Sequence, residues 1–389
     1  MFSFTYHNPT KIYFGNGSVR ETGKEVAAAG MHHVLLVYGK SSIKRNGVYE
    51  AVTASLRAAG VKWTEWPGVA ANPLVSHVRG GIAFAREAHV DSVLAVGGGS
   101  VIDAAKAIAL GVPSACDVWD FYMGENTPQK ALPLAAVLTL PATGTEMNGG
   151  TVITNDETHE KRAVVSPLLN PRVSILDPET TVSVPPDYVA YSASDAISHT
   201  IESYLTRPAA FLPVQDGYAE GVVRAIMAAT ERILADPKDL EARGAMMWAA
   251  TLAWNFLGSS GVGPWGTPAH MLEHPLSGLH NVPHGAGLAV TGPAWMMWES
   301  LRRTDRLAAF ARRMMEVQEN ADAIAAIKGI VHFRTWLKKI GNPVTLGECG
   351  IHEDAIPELA RHSELLAKAW GTGADYTSDT CAEILRLAL

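Results

Sequence analysis

Short apolar runs alternate with amphipathic stretches over the first half of the chain, and helical periods dominate the second half. "HVLLVYG" (33–39) is apolar nearly throughout and predicts a strand buried on both faces. "VYEAVTASLRAAG" (48–60) repeats apolar positions at helical spacing and stops at a glycine, which predicts a helix. "VKWTEW" predicts a strand, "PLVSHVRGGIAFAREAH" a helix, "DSVLAVGGGS" a strand entering a glycine turn, and "VIDAAKAIALG" a helix. "LPLAAVLTLPATGTE" predicts another strand and loop. Strands alternating with helices imply βαβ units on a parallel sheet. Strand signals thin out after "VSILDPE" (173–179), and from "VPPDYVAYSASDAISHTIESYLT" onward the pattern is helix after helix. Pro185 and Pro186 mark the change, so the expected division is an α/β domain over 1–185 and an all-α domain over 186–389. "AMMWAATLAWNFL" (245–257) is shorter than the ~20 helical residues a bilayer requires and predicts a buried helix. "GSSGVGPWGTP" (258–268) predicts a mobile loop.

Length and charge narrow the class. A chain of 389 residues exceeds one ordinary core and suggests two domains. A net charge of -7 leaves no basic footprint for nucleic acid. The three cysteines, Cys116, Cys349 and Cys381, are far apart and form no CxxC pair. That pattern argues against a disulfide framework and fits a reducing cytoplasm. The opening "MFSFTYHNPTKIYFG" lacks the basic and apolar segments of a signal peptide, so a cytoplasmic protein without a membrane partner is expected.

Two glycine-containing loops follow predicted strands. "AVGGGSVIDAAK" places Gly97, Gly98 and Gly99 between a strand and a helix, with Ser100 expected at the N-cap and Asp103 one turn on. Glycines let the backbone approach an anion, and a helix N-terminus supplies free N–H groups and partial positive charge. The stretch is not a GxGxxG fingerprint, and a tight turn without ligand is the plain alternative. "LPATGTEMNGG" (140–150) is a second such loop, and two of them on one sheet point to a nucleotide crevice at the strand carboxyl ends.

The helical half holds a histidine cluster. The chain has 14 histidines, and "HMLEHPLSGLHNVPHG" (270–285) contains His270, His274, His280 and His284 where about half a histidine would be expected. "SDAISHTIE" adds Asp195 and His199 at i and i+4, one face of a helix. One Asp and three His suit divalent iron or zinc at a catalytic site with an open position rather than a thiolate structural zinc. An Asp/His hydrogen bond and ordinary core histidines are the plain alternative. One or two histidines are left over, and an unligated imidazole can carry a proton.

These motifs together resemble the iron-containing, group III alcohol dehydrogenases, which share the dehydroquinate synthase-like fold. The resemblance runs through "NPTKIYFGNGS", "GGGSVIDAAK", "PATGTE", "LDPE", "VPP", "DAISHTIESYLT" and "AHMLEHPLSGLHNVPHG". "VLTLPATGTEMN", "MWAAT" and "HMLEHPL" are most similar to the NADPH-dependent butanol dehydrogenase and aldehyde reductase branch. The resemblance implies an N-terminal nucleotide-binding domain and a C-terminal metal-binding catalytic domain. It implies metal ligands Asp195, His199, His270 and His284, with His274 the nearby unligated histidine and no role for His280. It also implies cofactor contacts from Gly97, Gly98, Gly99, Ser100, Asp103, Asn72, Thr139, Thr143, Asn148 and Lys161. NAD-using relatives often carry an aspartate after the second strand. Here "VYGKSS" offers Gly39, Lys40, Ser41 and Ser42, which favours a 2′-phosphate, the alternative being a plain turn. "PATGTE" stands where "AGTGSE" is commoner, a mild change.

The implied reaction is hydride transfer between NADP(H) and a primary, butanol-like alcohol or aldehyde, with Fe2+ or Zn2+ as Lewis acid and a homodimer as the expected assembly. Trp254, Phe256 and Trp265 are expected either to line the substrate pocket or to belong to the core. The rival readings are a polyol dehydrogenase of the glycerol or 1,3-propanediol type, a dehydroquinate synthase-like lyase, a metal-dependent hydrolase and a non-catalytic binding module. A lyase would need basic residues for a phosphorylated acid, and a hydrolase leaves the two nucleotide loops unexplained.

Overall fold

A computed structural model describes residues 1–208 and 211–389. The strands are β1 (Lys11–Phe14), β2 (His33–Tyr38), β3 (Lys62–Trp66), β4 (Ser92–Gly98), β5 (Leu134–Leu140), β6 (Gly150–Thr154), β7 (Lys161–Val165) and β8 (Val173–Leu176). The helices of the first half are α1 (Thr22–Ala28), α2 (Ser42–Arg45), α3 (Val48–Ala58), α4 (Val75–Glu87), α5 (Gly99–Gly111) and α6 (Val118–Met123). Those that follow are α7 (Pro186–Thr206), α8 (Pro213–Ala235), α9 (Leu240–Ala253), α10 (Pro268–His280) and α11 (His284–Glu299). The chain ends with α12 (Thr304–Arg313), α13 (Asp322–Lys339), α14 (Ile356–Ala369) and α15 (Ser378–Arg386). No helix among the described residues is long and apolar enough to cross a membrane.

Six strands form one parallel sheet in the order β1-β8-β5-β4-β2-β3. Both faces are buried, which is why β2 reads as a continuous apolar run. Leu35 and Val37 of β2 pack with α4, α5 and α6, while Val34, Leu36 and Tyr38 pack with α1 and α3. From β2 the chain moves outward to β3 and then returns to place β4 on the other side of β2. The order reverses between β2 and β4, and the carboxyl ends of strands at such a reversal form a ligand crevice.

Two elements were not legible in the pattern. β1 is a short, half-polar edge strand, paired parallel to β8. β6 and β7 form an antiparallel hairpin whose threonines and charged residues read as loop.

The chain forms two compact units, and the expected cut of 1–185 and 186–389 requires correction. The α/β unit comprises His7–Val184 and Pro237–Asn255, and the helical unit comprises Met1–Tyr6, Pro185–Asp236 and Phe256–Leu389. Helix α9 therefore belongs with the sheet. Arg243 donates to the carbonyls of Pro237 and Thr181, and Thr251 donates to the buried Glu146 carboxylate. The first residues join the helical unit, where the Phe2 N–H donates to the Gly261 carbonyl at 2.9 Å. Phe2 and Phe4 occupy the space beside Gly263 and Gly261. The 258–268 loop, expected to be mobile, is thus tied down by aromatic packing and by Gln215 Nε2 on the Ser260 carbonyl.

Candidate metal centre and cofactor crevice

Helix α7 begins with Pro186 in its first turn, where a missing N–H costs nothing. Almost every residue from Val189 to Leu205 is buried, so polar side chains on this helix require partners. Asp195, His199 and Glu202 follow one another at i, i+4 and i+7, a single stripe. Helix α10 sets His270 against that stripe, and the His199 and His270 rings stack with centroids 4.5 Å apart. The αL residue Asn281 ends α10, and α11 restarts at His284 behind Pro283.

Two glycines bring α11 in. A Cβ on Gly285 would lie 2.0 Å from the Tyr191 carbonyl oxygen of α7, and one on Gly287 would lie 2.7 Å from Glu273 Cγ of α10. The "HGAG" sequence therefore permits the close approach that delivers His284.

Three imidazole nitrogens surround one carboxylate oxygen. Asp195 Oδ1 lies 3.4 Å from His199 Nδ1, 3.7 Å from His270 Nε2 and 3.8 Å from His284 Nε2. Asp195 is buried, and Oδ1 accepts no well-formed hydrogen bond among the described residues. Ligands held ~2.0–2.2 Å from a tetrahedral ion are themselves roughly 3.4 Å apart, so this spacing fits a divalent cation at the centre. The donor set is hard-to-borderline, all nitrogen and oxygen, which suits Fe2+ or Zn2+.

Two glutamates orient the rings. Glu202 Oε2 bonds His270 Nδ1, and Glu273 Oε2 bonds His284 Nδ1, leaving Nε2 of each ring toward Asp195. Glu202 Oε1 also accepts the N–H groups of Ala269 and His270, and Glu273 Oε1 accepts the Ser277 hydroxyl. Such outer carboxylates fix tautomer and ring angle. Neither was singled out from sequence. The available signal was a glutamate in the middle of a buried helical face.

Electrostatics match this role. Burial pushes the Asp195 carboxyl up, but His199, His270 and His284 outweigh it and hold the group well below the usual carboxylate range. Burial lowers His199 to about 3, so it is neutral and able to ligate. Burial also works against a charged His270, yet Glu202 and Asp195 raise it to about 10.

His274 is buried beside this cluster. Its ring lies 5.8 Å from that of His284 and 5.4 Å from Trp370, edge to face. His280 is exposed in the last turn of α10, where a basic side chain complements the helix dipole. Trp254, Phe256 and Trp265 are all half-buried.

In the α/β unit the expected cofactor residues gather at the carboxyl ends of β2 to β5. Gly39 follows β2, Asn72 follows β3, Gly97 and Gly98 close β4 and Gly99 opens α5, and Thr139 and Thr143 lie at the end of β5 and just beyond it. Lys161 opens β7 and donates to Asn72 Oδ1 at 3.1 Å. Helix α5 starts two residues earlier than expected: Gly98 is the N-cap and Ser100 lies inside the first turn. No side chain caps α5, so its first-turn N–H groups are available to an anion.

The glycine triad also answers to packing. A Cβ on Gly97 would meet Val101 at 2.5 Å, on Gly98 Leu140 at 2.8 Å, and on Gly99 Thr143 at 2.6 Å. Gly39 differs, because a Cβ there makes only ordinary contacts with Val69 and Val101. Lys40, Ser41 and Ser42 are exposed, and Arg45 donates to Ser41 Oγ. Asp103 and Asn148, expected as cofactor contacts, are also engaged by the protein. Asp103 accepts from the Thr145 hydroxyl and the Val152 N–H. The Asn148 amide bonds the Gly144 and Trp254 carbonyls and the Gly150 N–H.

Comparison with known proteins covers both units. Residues 9–178 match the family model for iron-containing alcohol dehydrogenase, and residues 189–389 match the C-terminal model of the Fe-containing alcohol dehydrogenase family. The chain is 38% identical over 390 residues to the probable NADH-dependent butanol dehydrogenase 1 of Bacillus subtilis, covering 100% of this chain and 99% of that protein. It is 35% identical over 369 residues to the NADPH-dependent aldehyde reductase of Escherichia coli, covering 94% and 93%. The crystal structure of NADH-dependent butanol dehydrogenase A from Thermotoga maritima matches with a TM-score of 0.95 and 40% identity, covering 100% of this chain and 99% of that one.

Proposed function

The chain belongs to the iron-containing alcohol dehydrogenase family, and from that premise we propose an NADP(H)-preferring enzyme that interconverts butanol-sized primary alcohols and aldehydes. Its broad activity is metal-dependent, NAD(P)H-linked alcohol oxidation and aldehyde reduction on small substrates. The hydrolase and lyase readings fall with the family.

The observation that carries the proposal is the convergence on Asp195 Oδ1. Asp195, His199, His270 and His284 hold the cation, and Glu202 and Glu273 keep two of the imidazoles turned toward it. When bound, the ion supplies Lewis acidity toward the substrate oxygen and the nicotinamide supplies or accepts the hydride. His274, whose ring lies 5.8 Å from that of His284, relays the proton lost or gained by that oxygen. Trp370 covers one side of His274 and limits water there. Gly97, Gly98, Gly99 and Ser100 present the α5 amides to the pyrophosphate, and Thr139, Thr143, Asn72 and Lys161 line the same edge of the sheet.

The 2′-phosphate preference rests on Gly39, Lys40, Ser41 and Ser42, which leave room and add donors without a carboxylate. A second reading, NAD(H) preference, has support from the Bacillus subtilis and Thermotoga maritima relatives named as NADH-dependent. We place the enzyme in a reducing cytoplasm, consistent with its free Cys116, Cys349 and Cys381, and as a homodimer. The test is consumption of reduced nicotinamide with butanal against a polyol panel, on anaerobically prepared protein loaded with Fe2+ or Zn2+. NADPH oxidation with butanal is expected. Turnover of polyols alone, or no nicotinamide consumption with any substrate, contradicts the proposal.

A further inference from the structure

Lys106 is fully buried on α5, and its ammonium sits among five oxygens of a single loop. Nζ lies 2.7 Å from the Thr145 carbonyl, 2.8 Å from Thr145 Oγ1, 2.8 Å from the Asn148 carbonyl, 3.3 Å from Asn148 Oδ1 and 2.7 Å from the Gly150 carbonyl. An ammonium carries three protons, so no neutral side chain of similar size could serve this cage.

One turn earlier, Asp103 accepts the Thr145 hydroxyl at 2.7 Å and the Val152 N–H at 3.0 Å. The Asp103 carbonyl accepts from Thr151 Oγ1 at 2.8 Å. Two charged residues of one helix therefore hold the loop before β6 and the start of the hairpin that carries Lys161.

The Lys106 ammonium is not placed to meet a ligand at the helix N-terminus. Lys106 is seven residues past Gly99, about 10 Å along the axis. The loop they hold does reach that end, because Thr143 fills the space beside Gly99.

We propose that Lys106 and Asp103 are positioning residues that lock the 143–150 loop onto α5, so that the glycine turn and the second loop present one rigid surface to the cofactor. This rests on the nicotinamide-dependent reading above. Burial lowers the Lys106 ammonium to about 8 against the opposing pull of Asp103 and Glu146, so the protein holds a costly charge for a geometric purpose.

The experiment compares wild type with Lys106→Met and Thr145→Val, each loaded with Zn2+. Amide hydrogen exchange is read in the free protein, NADPH and NADH binding by nicotinamide fluorescence, and kcat at saturating cofactor. In Lys106→Met, exchange over 143–150 accelerates and both cofactor Kd values rise by about tenfold or more. Metal content is unchanged and kcat stays within about twofold. Thr145→Val, an isosteric change, moves exchange and Kd in the same direction by less, and it carries the test if Lys106→Met does not fold. Unchanged loop exchange and unchanged Kd in the folded variants overturn the proposal, as does loss of kcat together with bound Zn2+. Failure of wild type to bind either nucleotide would sink the functional reading instead, while the exchange result still decides the lock.

Discussion

In the helical unit, chemistry is carried by side chains: Asp195, His199 and Glu202 on one stripe of α7, His270 and Glu273 on α10, His284 at the head of α11. In the α/β unit the proposed phosphate site is mainly backbone: an uncapped helix start, three glycines that admit Val101, Leu140 and Thr143, and a loop tethered from beneath by Lys106. A metal needs particular donor atoms, so the first region depends on residue identity. A phosphate needs oriented N–H groups, so the second depends on close packing and on what may not be there. The two regions should therefore respond to substitution differently: the first by losing its ion and its turnover, the second by losing affinity or cofactor choice.

The largest effect should come from removing the ion itself. Treatment with a chelator should lower turnover by at least ~10³-fold and leave NADPH binding in place, with recovery on adding Fe2+ or Zn2+. Loss of nucleotide binding along with the ion would merge the two regions into one. On the proposal that His274 relays a proton and does not hold the ion, His274→Ala should lower kcat by about 10²-fold with metal content near normal, and should alter the pH–rate profile. Metal loss in that variant would make His274 a ligand.

Glu202→Gln should weaken metal affinity by roughly 10–100-fold, read by competition with a chromogenic chelator, because His270 loses the carboxylate that fixes its ring. An unchanged affinity would mean that the histidines orient themselves. The smallest change, at Gly39→Asp, should leave metal and kcat alone and act on cofactor choice. A charge-assisted hydrogen bond is worth ~1.5–3 kcal/mol, so loss of one and the added repulsion should shift the NADPH/NADH ratio of kcat/KM by about tenfold or more. The site has room for the side chain, so a folding defect is not expected. An unchanged ratio would show that this segment does not read the phosphate.

The same contrast explains what the sequence revealed. Asp195 and His199 are visible because i, i+4 spacing is a helical statement, and His284 is visible because Pro283 breaks the helix before it. Glu202 and Glu273 are not, since a glutamate reads as surface charge until its burial is known. The strands β2, β4 and β5 are legible as apolar runs, whereas β1 and the β6–β7 hairpin are too short and polar to stand out. Helix α9 was legible as a buried helix, but periodicity does not say which core it joins. That depends on Arg243 and Thr251 finding Thr181 and Glu146. The α5 N-cap lies two positions before Ser100, because Gly98 itself takes the cap. Asp103 and Asn148 read as ligand contacts in a motif, and only their hydrogen bonds reveal that they also brace the 143–150 loop.

The central claim is that the ion and the cofactor are held by separately written regions, and His270→Ala tests it most directly. Metal content and NADPH affinity should be measured on one preparation of the folded variant. The account predicts that the ion and turnover are lost while the NADPH Kd stays at the wild-type value. Retention of stoichiometric metal with activity, or collapse of NADPH binding together with the ion, would contradict it.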